Sequence, residues 1–285
     1  MSAAEAHTAE LEAISGPSAL GGGARRFFDL LWLTSVTQFR LGYHGTVLGF
    51  AWSLMRPLLL FGVLLAVFTQ VFNLGDSIRN YPPLLLFNIM LFTFFQTATD
   101  QSVGSVVGNE NVVRKMQFPR LVIPLAVVVT NCLQLGLNLL VVFVFMIVYG
   151  VEPLWTWLLT PVIVGATILL TTCFAMLLSA LYVRIRDVWI MWTVSATILF
   201  YATPVLYPID FIPPGTLRDV IAMNPLSPIF EQANEWLMNP NAPGAQELAA
   251  GRPLLLLVPI ALYIAVCVAG VLVFRREAPR VAEAL

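Results

Sequence analysis

The sequence predicts an all-α polytopic membrane protein with six transmembrane helices. Of its 285 residues, 59% are hydrophobic and only 11% are charged, whereas a soluble domain is typically about 25% charged. Six apolar stretches each approach the roughly 20 residues that a helix needs to cross about 30 Å of hydrocarbon. The polar segments between them are short, with one exception near the C-terminal end.

The N-terminal region divides into two parts. Residues 1–24 carry three glutamates, no basic residue and no apolar core, so they predict a disordered acidic tail on the cytoplasmic side and not a signal peptide. The stretch that follows, 25–45, is too mixed to span a membrane. Its apolar residues fall near one helical face, and this pattern predicts an amphipathic helix lying in the membrane interface. The alternative is a plain juxtamembrane linker. The polar side of the stretch includes Arg25, Arg26 and Arg40.

The six spans and their connections set the predicted topology. The spans cover about Trp52 to Phe72, Leu84 to Val107, Leu121 to Tyr149, Leu158 to Val183, Val188 to Leu206 and Pro253 to Phe274. An even number of spans places both termini on the same side. Of the fifteen Lys and Arg residues, only Arg79, Arg218 and Arg252 fall on the opposite side, which leaves twelve on the side of the termini. Because basic residues favour the cytoplasmic side, both termini are predicted to be cytoplasmic.

The loop between the second and third spans carries unusual chemistry for its length. It reads NENVVRKMQFPRLVIP from Asn109 to Pro124 and holds Arg114, Arg120 and the only lysine of the chain, Lys115. A short helix is expected to end at Phe118, since the residue before a proline avoids the α conformation. The loop is either an ordinary cytoplasmic connection or a docking element for a partner.

The long segment 207–252, on the opposite side, is rich in proline and contains two helical candidates of about ten residues. Both are too short to span a bilayer and too apolar for an ordinary aqueous loop. A hairpin that dips back into the outer leaflet fits this pattern best, and a folded external loop is the alternative. The prolines of the segment are Pro208, Pro213, Pro214, Pro225, Pro228, Pro240 and Pro243.

The sequence lacks the common signatures of catalysis. A phosphate-binding P-loop needs a glycine-rich turn that ends in Gly-Lys, whereas Lys115 follows Arg114. The three cysteines, Cys132, Cys173 and Cys267, lie in apolar runs without disulfide or zinc spacing. No metal site and no Ser/His/Asp set is predicted, so the chain is not expected to be an enzyme.

Polar residues inside the spans are costly in lipid and therefore informative. Thr130, Asn131, Gln134 and Asn138 fall within about 100° of one face of the third span, and the second span holds Asn88, Gln96 and Asp100. These faces either line a route for a hydrophilic substrate or form hydrogen bonds between helices.

Aromatic residues are further candidates to line such a route, because aromatic rings can stack on the apolar faces of sugars. Packing and lipid contact are the alternatives for these rings. The candidates are Phe61, Phe68, Phe72, Phe200, Tyr201 and Tyr207.

Taken in order, three motifs resemble the permease subunit of polysaccharide-exporting ABC transporters, of the O-antigen and teichoic-acid type often called Wzm. They are the loop NENVVRKMQFPRLVIP, the stretch QFRLGYHGTVLGFAWSLMRPLL, and YATPVLYPIDFIPP followed by NPLSPIFE. The likeness covers 25–276, which is predicted to be the permease domain. It leaves out the tails 1–24 and 277–285.

The resemblance implies a homodimer in the bacterial inner membrane, bound to two ATP-binding cassette subunits that carry ATP and Mg²⁺. The implied substrate is a polyprenyl-diphosphate-linked polysaccharide, with membrane lipids around the protein and no nucleic-acid partner. This chain itself is expected to bind no cofactor. Aromatics of the first and fifth spans resemble those that line the family's channel.

The resemblance also assigns roles to particular residues. By that likeness, 109–120 is a coupling helix that enters a cleft of the ATPase, 25–42 is an interface helix beside it, and 208–238 forms re-entrant gate helices. The implied coupling residues are Glu110, Asn111, Val112, Arg114, Lys115, Phe118, Pro119 and Arg120. The implied interface-helix residues are Arg25, Arg26, Phe39 and Arg40. The implied gate residues are Pro208, Asp210, Pro213, Pro214, Pro225, Pro228 and Phe230.

Two other functions remain open from the sequence. A drug or small-lipid exporter of related fold is the alternative within the class, and a membrane-embedded lipid-linked glycosyltransferase is the alternative outside it. Such an enzyme would be expected to place acidic pairs at a membrane face. The sequence does not identify the glycan. It also does not distinguish a continuous channel from one that opens stepwise.

Overall fold

The computed structural model describes residues 23–42, 51–73, 78–109, 120–242, 244–246, 248 and 253–277. In these ranges the regular structure is helical and contains no strand. The helices are α1 (Gly23–Leu41), α2 (Ala51–Gln70), α3 (Tyr81–Val103), α4 (Ser105–Gly108), α5 (Val122–Tyr149), α6 (Thr160–Arg184), α7 (Val188–Tyr201), α8 (Thr216–Ala222), α9 (Ser227–Leu237) and α10 (Pro253–Glu277). Short 3₁₀ helices, Trp155–Leu159 and Ile209–Phe211, precede α6 and α8.

Within the described ranges, five helices are long and apolar enough to cross a membrane. They are α2, α3, α5, α6 with the 3₁₀ turn before it, and α10. They coincide with five of the six predicted spans and differ from them by a few residues at their ends. The prediction of an all-α polytopic membrane protein is confirmed.

The predicted fifth span is the exception. α7 ends at Tyr201 after 14 residues, which is a length of about 21 Å against about 30 Å of hydrocarbon. Pro204 disfavours the α conformation at Thr203, and residues 202–206 form turns and a bend. The predicted end at Leu206 is therefore wrong, and the count of six spans stays a prediction.

The central helix of the bundle is α3. It packs against α2, α5, α6 and α7, and side chains on all its faces, such as Leu85, Phe87, Met90 and Phe95, are fully buried. Its sequence explains this position, because its mean hydropathy, 1.2, is the lowest of the candidate spans among the described residues, and polar side chains such as Gln96 and Asp100 are costly where a helix faces lipid. Beyond α3, α1 packs on α5 and α10 packs on α6.

Contacts along the helices fix their relative directions. α6 and α10 run parallel, since Tyr263 donates a hydrogen bond to the carbonyl of Ala166 near their starts and Arg184 forms a 2.8 Å salt bridge with Glu277 at their ends. α3 and α7 run antiparallel, because Trp192 meets Thr99 while Phe200 meets Phe92. The bundle therefore has two distinct ends. α3 and α6 both begin at one end of the bundle, which we call the hairpin end because the hairpin of α8 and α9 is attached there. We call the opposite end the Arg184 end.

Candidate functional site

The structure contains a polar recess between α1, α2, α3 and α5. Its volume is about 730 Å³, within the range of cavities that bind small molecules. Most of the residues that line it are polar, although it lies within an apolar bundle. The polar residues are Gln38 on α1, Ser53 and Arg56 on α2, Thr93, Thr97 and Gln101 on α3, and Thr130, Asn131, Gln134 and Asn138 on α5.

The polar face predicted on the third span forms one wall of this recess, and its members play different parts. Asn131 donates a 2.9 Å hydrogen bond to the side-chain oxygen of Gln101, and Thr130 donates to the backbone of its own helix and of α1. These two residues join helices, as the packing alternative expects. Asn138 differs, because its buried Oδ1 has no hydrogen-bond partner. Gln134 and Asn138 are therefore the members placed to meet a ligand.

The polar residues predicted on the second span lie elsewhere. Asn88 donates to the carbonyls of Pro204 and Val205 and so holds the segment after α7. Gln96 and Asp100 are partly buried but do not line the recess. Asp100 lies close enough to Arg56 for the two charges to interact. The lining residues of α3 are instead Thr93, Thr97 and Gln101.

The predicted aromatic candidates separate into packed and exposed rings. Phe61 meets Phe145 edge-on, and Phe200 meets Phe92 in the same way. Phe68 packs against the core and stacks on Phe72, which is exposed. Tyr207 is partly buried, and its hydroxyl donates to the carbonyl of Tyr201, whose ring is exposed. None of these aromatic residues lines the recess, and their part in a channel stays a prediction.

α8, α9 and the turns that lead into them from residue 202 form a hairpin. Side chains of the bundle donate hydrogen bonds to the backbone of this hairpin. Tyr81 donates a 2.8 Å hydrogen bond to the carbonyl of Leu206, and Asn80 donates to that of Met238. Trp157 and Thr156, next to α6, donate to the carbonyls of Leu237 and Trp236. Because each donor belongs to a membrane-spanning helix or to the turn beside one, the hairpin is held at both ends by the bundle.

The inner end of the hairpin lies well down α3. Phe230 is buried, and the centre of its ring lies 6.5 Å from that of Phe92. Between Tyr81 and Phe92, α3 rises about 16 Å, which is about half of a hydrocarbon layer. The turn before α9 is closed by Asn224, which donates to Thr203 at 2.7 Å. A re-entrant hairpin would reach a depth of this kind, about halfway across the hydrocarbon layer.

The predicted gate residues occupy different surroundings in this hairpin. Pro208 is buried, Pro225 and Pro228 are partly buried, and Pro213 and Pro214 are exposed. Asp210 forms a 3.1 Å salt bridge with Arg218. Beside this pair lies a residue that the sequence reasoning did not single out, Glu231, which is only 2% exposed.

The carboxyl of Glu231 is enclosed by the hairpin. Its Oε1 accepts a 2.7 Å hydrogen bond from the backbone N–H of Ile209, and its Oε2 has no partner. Burial raises the pKa of Glu231 from 4.5 to about 8, and the nearby charge of Asp210 adds to the rise. The Ile209 N–H and the Arg218 charge oppose it. The one signal in the sequence is an acid within a short apolar helix bounded by prolines.

We expect the hairpin to become less stable as the pH rises. Glu231 binds its proton more tightly when folded than when unfolded, so its stabilising effect is complete below about pH 4.5 and is lost as the pH rises through about 8. Between these limits the free energy of unfolding should fall by about 1.4 kcal/mol per pH unit. Melting temperatures of the purified chain at pH 5, 6.5 and 8 measure this. Glu231→Gln should flatten the profile, and the control Glu235→Gln on the same helix should not. A wild-type slope in Glu231→Gln would contradict the assignment.

The predicted interface helix is present as α1. Its inward side packs on α5, with Ser35 fully buried, while Phe28 and Trp32 are exposed. Of the predicted interface residues, Phe39 lines the recess, Arg25 and Arg40 are exposed, and Arg26 is partly buried.

The predicted coupling residues fall almost entirely outside the described residues. Those outside are Glu110, Asn111, Val112, Arg114, Lys115, Phe118 and Pro119, whereas Arg120 is described and lies two residues before the start of α5. Their role therefore stays a prediction.

Sequence reasoning also missed part of the recess. Thr93, Thr97 and Gln101 recur every four residues, a spacing that places them on one helical face. In the sequence, Arg56 is one of the twelve basic residues on the side of the termini, and nothing marks it as part of a site. The positions of these residues were readable, but nothing in the sequence showed that their faces meet.

Comparison with known proteins addresses the family. The family model for the ABC-2 type transporter membrane component matches residues 29–235. This range includes the recess and nearly all of the hairpin. The chain belongs to the ABC-2 type transporter family.

Relatives with curated names extend over most of the chain. The O-antigen export system permease protein RfbA of Myxococcus xanthus is 29% identical over 214 residues, 75% of this chain and 82% of that protein. A protein of the same name from Klebsiella pneumoniae is 30% identical over 213 residues, 74% of this chain and 81% of that protein.

Proposed function

We propose that this chain is the membrane subunit of an ATP-driven exporter that moves a polyprenyl-diphosphate-linked polysaccharide across the bacterial inner membrane. The observation that carries the proposal is its similarity, over about three quarters of its length, to two permeases named for O-antigen export. Membership of the ABC-2 type transporter family supports the same class. The glycan could be an O-antigen, a teichoic acid or a galactan.

Two features of the structure support a transport role. The recess provides polar surface within an apolar bundle, and polar residues at membrane depth commonly mark substrate paths. The hairpin of two short helices would form a plug, since side chains of α3 and of the turn before α6 donate hydrogen bonds to its backbone. A plug held at both ends can close a path at rest and move as one body.

The proposal includes partners. The chain would pair with a second copy of itself, and two separate subunits would bind ATP and Mg²⁺. The exposed side of α7 supports a pairing surface, since it combines large apolar side chains such as Trp189 and Ile190 with the hydroxyls of Thr193 and Thr197. Small hydroxylated residues are typical of helix–helix contacts in membranes.

Co-purification tests the partnership. When the full chain and an ATP-binding cassette subunit of an O-antigen exporter from the same cell are co-expressed, the two should elute together from an affinity tag on either one. The matched control is the same ATP-binding subunit expressed with an unrelated six-span membrane protein. Elution of the chain without any ATP-binding subunit, under conditions in which both are abundant, would contradict the proposal.

The proposed orientation places the hairpin end outside the cell and the Arg184 end in the cytoplasm. In a variant that lacks Cys132, Cys173 and Cys267, single cysteines near Arg79, Glu152 and Asn241 should react with an impermeant thiol reagent on intact cells. Cysteines at Gln117 and Arg276 should react only after lysis. Labelling at Gln117 in intact cells would overturn the orientation.

A further inference from the structure

Among the described residues that line the recess, one side chain is charged, that of Arg56. This guanidinium forms no hydrogen bond or salt bridge with any of the described residues. It lies on the second turn of α2, a helix long and apolar enough to span the membrane. Its side chain is exposed near the start of that helix, where an arginine can meet the phosphates of lipid headgroups at the membrane interface. Among the described residues that line the recess, none is acidic.

Asp100 is the acid whose charge acts on Arg56, but it does not take up the guanidinium. The two side chains form no salt bridge, and Oδ1 of Asp100 is buried without a hydrogen-bond partner. Asp100 also lies outside the lining of the recess. The N–H donors of Arg56 therefore remain available, and their planar fork matches the oxygens of a phosphate.

A second, independent observation points to a ligand with hydroxyl groups. Asn138 is 6% exposed and lines the recess, yet its Oδ1 accepts no hydrogen bond. An amide oxygen buried in this way calls for a donor such as a hydroxyl or a water. Asn138 lies two helical turns beyond Asn131, or about 10 Å along α5. The recess thus offers a cation and, on the α5 wall, an unmet acceptor.

We propose that this recess binds the phosphate-bearing headgroup of a membrane lipid. Arg56 pairs with the phosphate, and Asn138 and Gln134 accept and donate hydrogen bonds to hydroxyls attached beyond it. Trp52 lines the same recess and is 51% exposed, in keeping with an aromatic side chain at the membrane interface. The phospholipid source is independent of the export function proposed above, whereas the polyprenyl diphosphate source rests on it. Two sources share its chemistry, namely an ordinary glycerophospholipid and a polyprenyl diphosphate.

Lipid binding to the purified, delipidated full chain tests the site. Dissociation constants are measured for phosphatidylglycerol, for phosphatidylmethanol, which has the same charge without the glycerol hydroxyls, for farnesyl diphosphate and for inorganic phosphate. Arg56→Ala and Arg56→Gln should weaken binding of phosphatidylglycerol, of farnesyl diphosphate or of both by about tenfold or more, and Arg56→Lys should weaken that binding less. The matched control is Arg186→Ala, an exposed arginine at the Arg184 end that does not line the recess.

The experiment distinguishes the two lipid sources, a phospholipid and a prenyl diphosphate. It also distinguishes the contact of Arg56 with the phosphate from the contact of Asn138 with the hydroxyls. Wild-type protein should bind phosphatidylglycerol more tightly than phosphatidylmethanol, and Asn138→Leu should remove that preference while leaving binding of the anion. Stronger binding of farnesyl diphosphate than of phosphatidylglycerol, dependent on Arg56, would identify the prenyl diphosphate as the source, and the reverse would identify the phospholipid. Each result supports the site.

Three results would overturn it. Unchanged affinity in Arg56→Ala or Arg56→Gln would exclude Arg56 as the anion contact. An equal loss in Arg186→Ala would mean that surface charge alone attracts the lipid. Binding of inorganic phosphate with no added affinity for either lipid would mean that the recess holds a free anion and not a headgroup.

Discussion

Phe92→Ala is expected to lower the free energy of unfolding by about 3–5 kcal/mol. The Phe92 ring is 1% exposed and meets Phe200 on α7 at 5.2 Å and Phe230 on α9 at 6.5 Å. Its removal leaves a cavity at the point where the hairpin reaches deepest along α3. The melting temperature of the purified chain and the rate of hydrogen exchange in 216–237 measure the effect, and both the stability and the exchange protection of the hairpin should fall.

Phe72→Ala is the matched control for this prediction. Phe72 is the same residue type on the same chain but is 60% exposed, so its loss should cost less than about 1 kcal/mol. If the two variants melt alike, Phe92 does not hold the hairpin, and the account of how the hairpin is seated would be wrong.

The combined change Val112→Asp and Phe118→Ala is expected to abolish coupling to the ATP-binding subunit. On the proposed function, ATP is hydrolysed on a separate subunit, so this chain would receive work mechanically through a cytoplasmic element joined to two spans. Residues 109–119 join α3 and α4 to α5. Val112 and Phe118 are apolar residues of this loop. We expect them to matter most, because buried apolar and arginine side chains usually contribute most of the binding energy of an interface. The ATPase rate and export in the presence of the partner are measured, after membrane insertion has been verified.

Lys115→Ala is the control in this series, because charges at the rim of an interface contribute less than buried anchors. It should retain most of the activity. A double variant that inserts, binds the ATP-binding subunit and exports normally would show that 109–119 is a solvated loop and not a coupling element.

The length of apolar runs made most of the fold predictable. Five helices lie where the sequence places them, since no other regular backbone except a closed β-barrel satisfies its hydrogen bonds within lipid. The run Val188–Leu206 misled because it is long and free of charged residues, although Pro204 and the turns around it end α7 at Tyr201. The apolar composition of this run indicates that it is buried or in lipid. Pro204 is the residue of the run that indicates where its helix ends.

The candidate site was less predictable, because it depends on which helical faces meet. The α5 row of Asn131, Gln134 and Asn138 was visible from its spacing, but its partners on α2 and α3 were not. Asn88 looks in the sequence like the other polar residues of its span, yet in the fold it holds the carbonyls after α7. Glu231 differs from any surface glutamate only through its enclosure by the hairpin.

The central claim is that this chain carries a lipid-linked polysaccharide out of the cell, and one measurement tests it directly. Cells are depleted of the protein, and both the polysaccharide at the cell surface and the lipid-linked glycan retained inside are quantified. The account predicts that surface polysaccharide falls while polyprenyl-linked glycan accumulates on the cytoplasmic side, and that the wild-type chain restores both. Unchanged surface polysaccharide, with no internal accumulation after depletion, would contradict it.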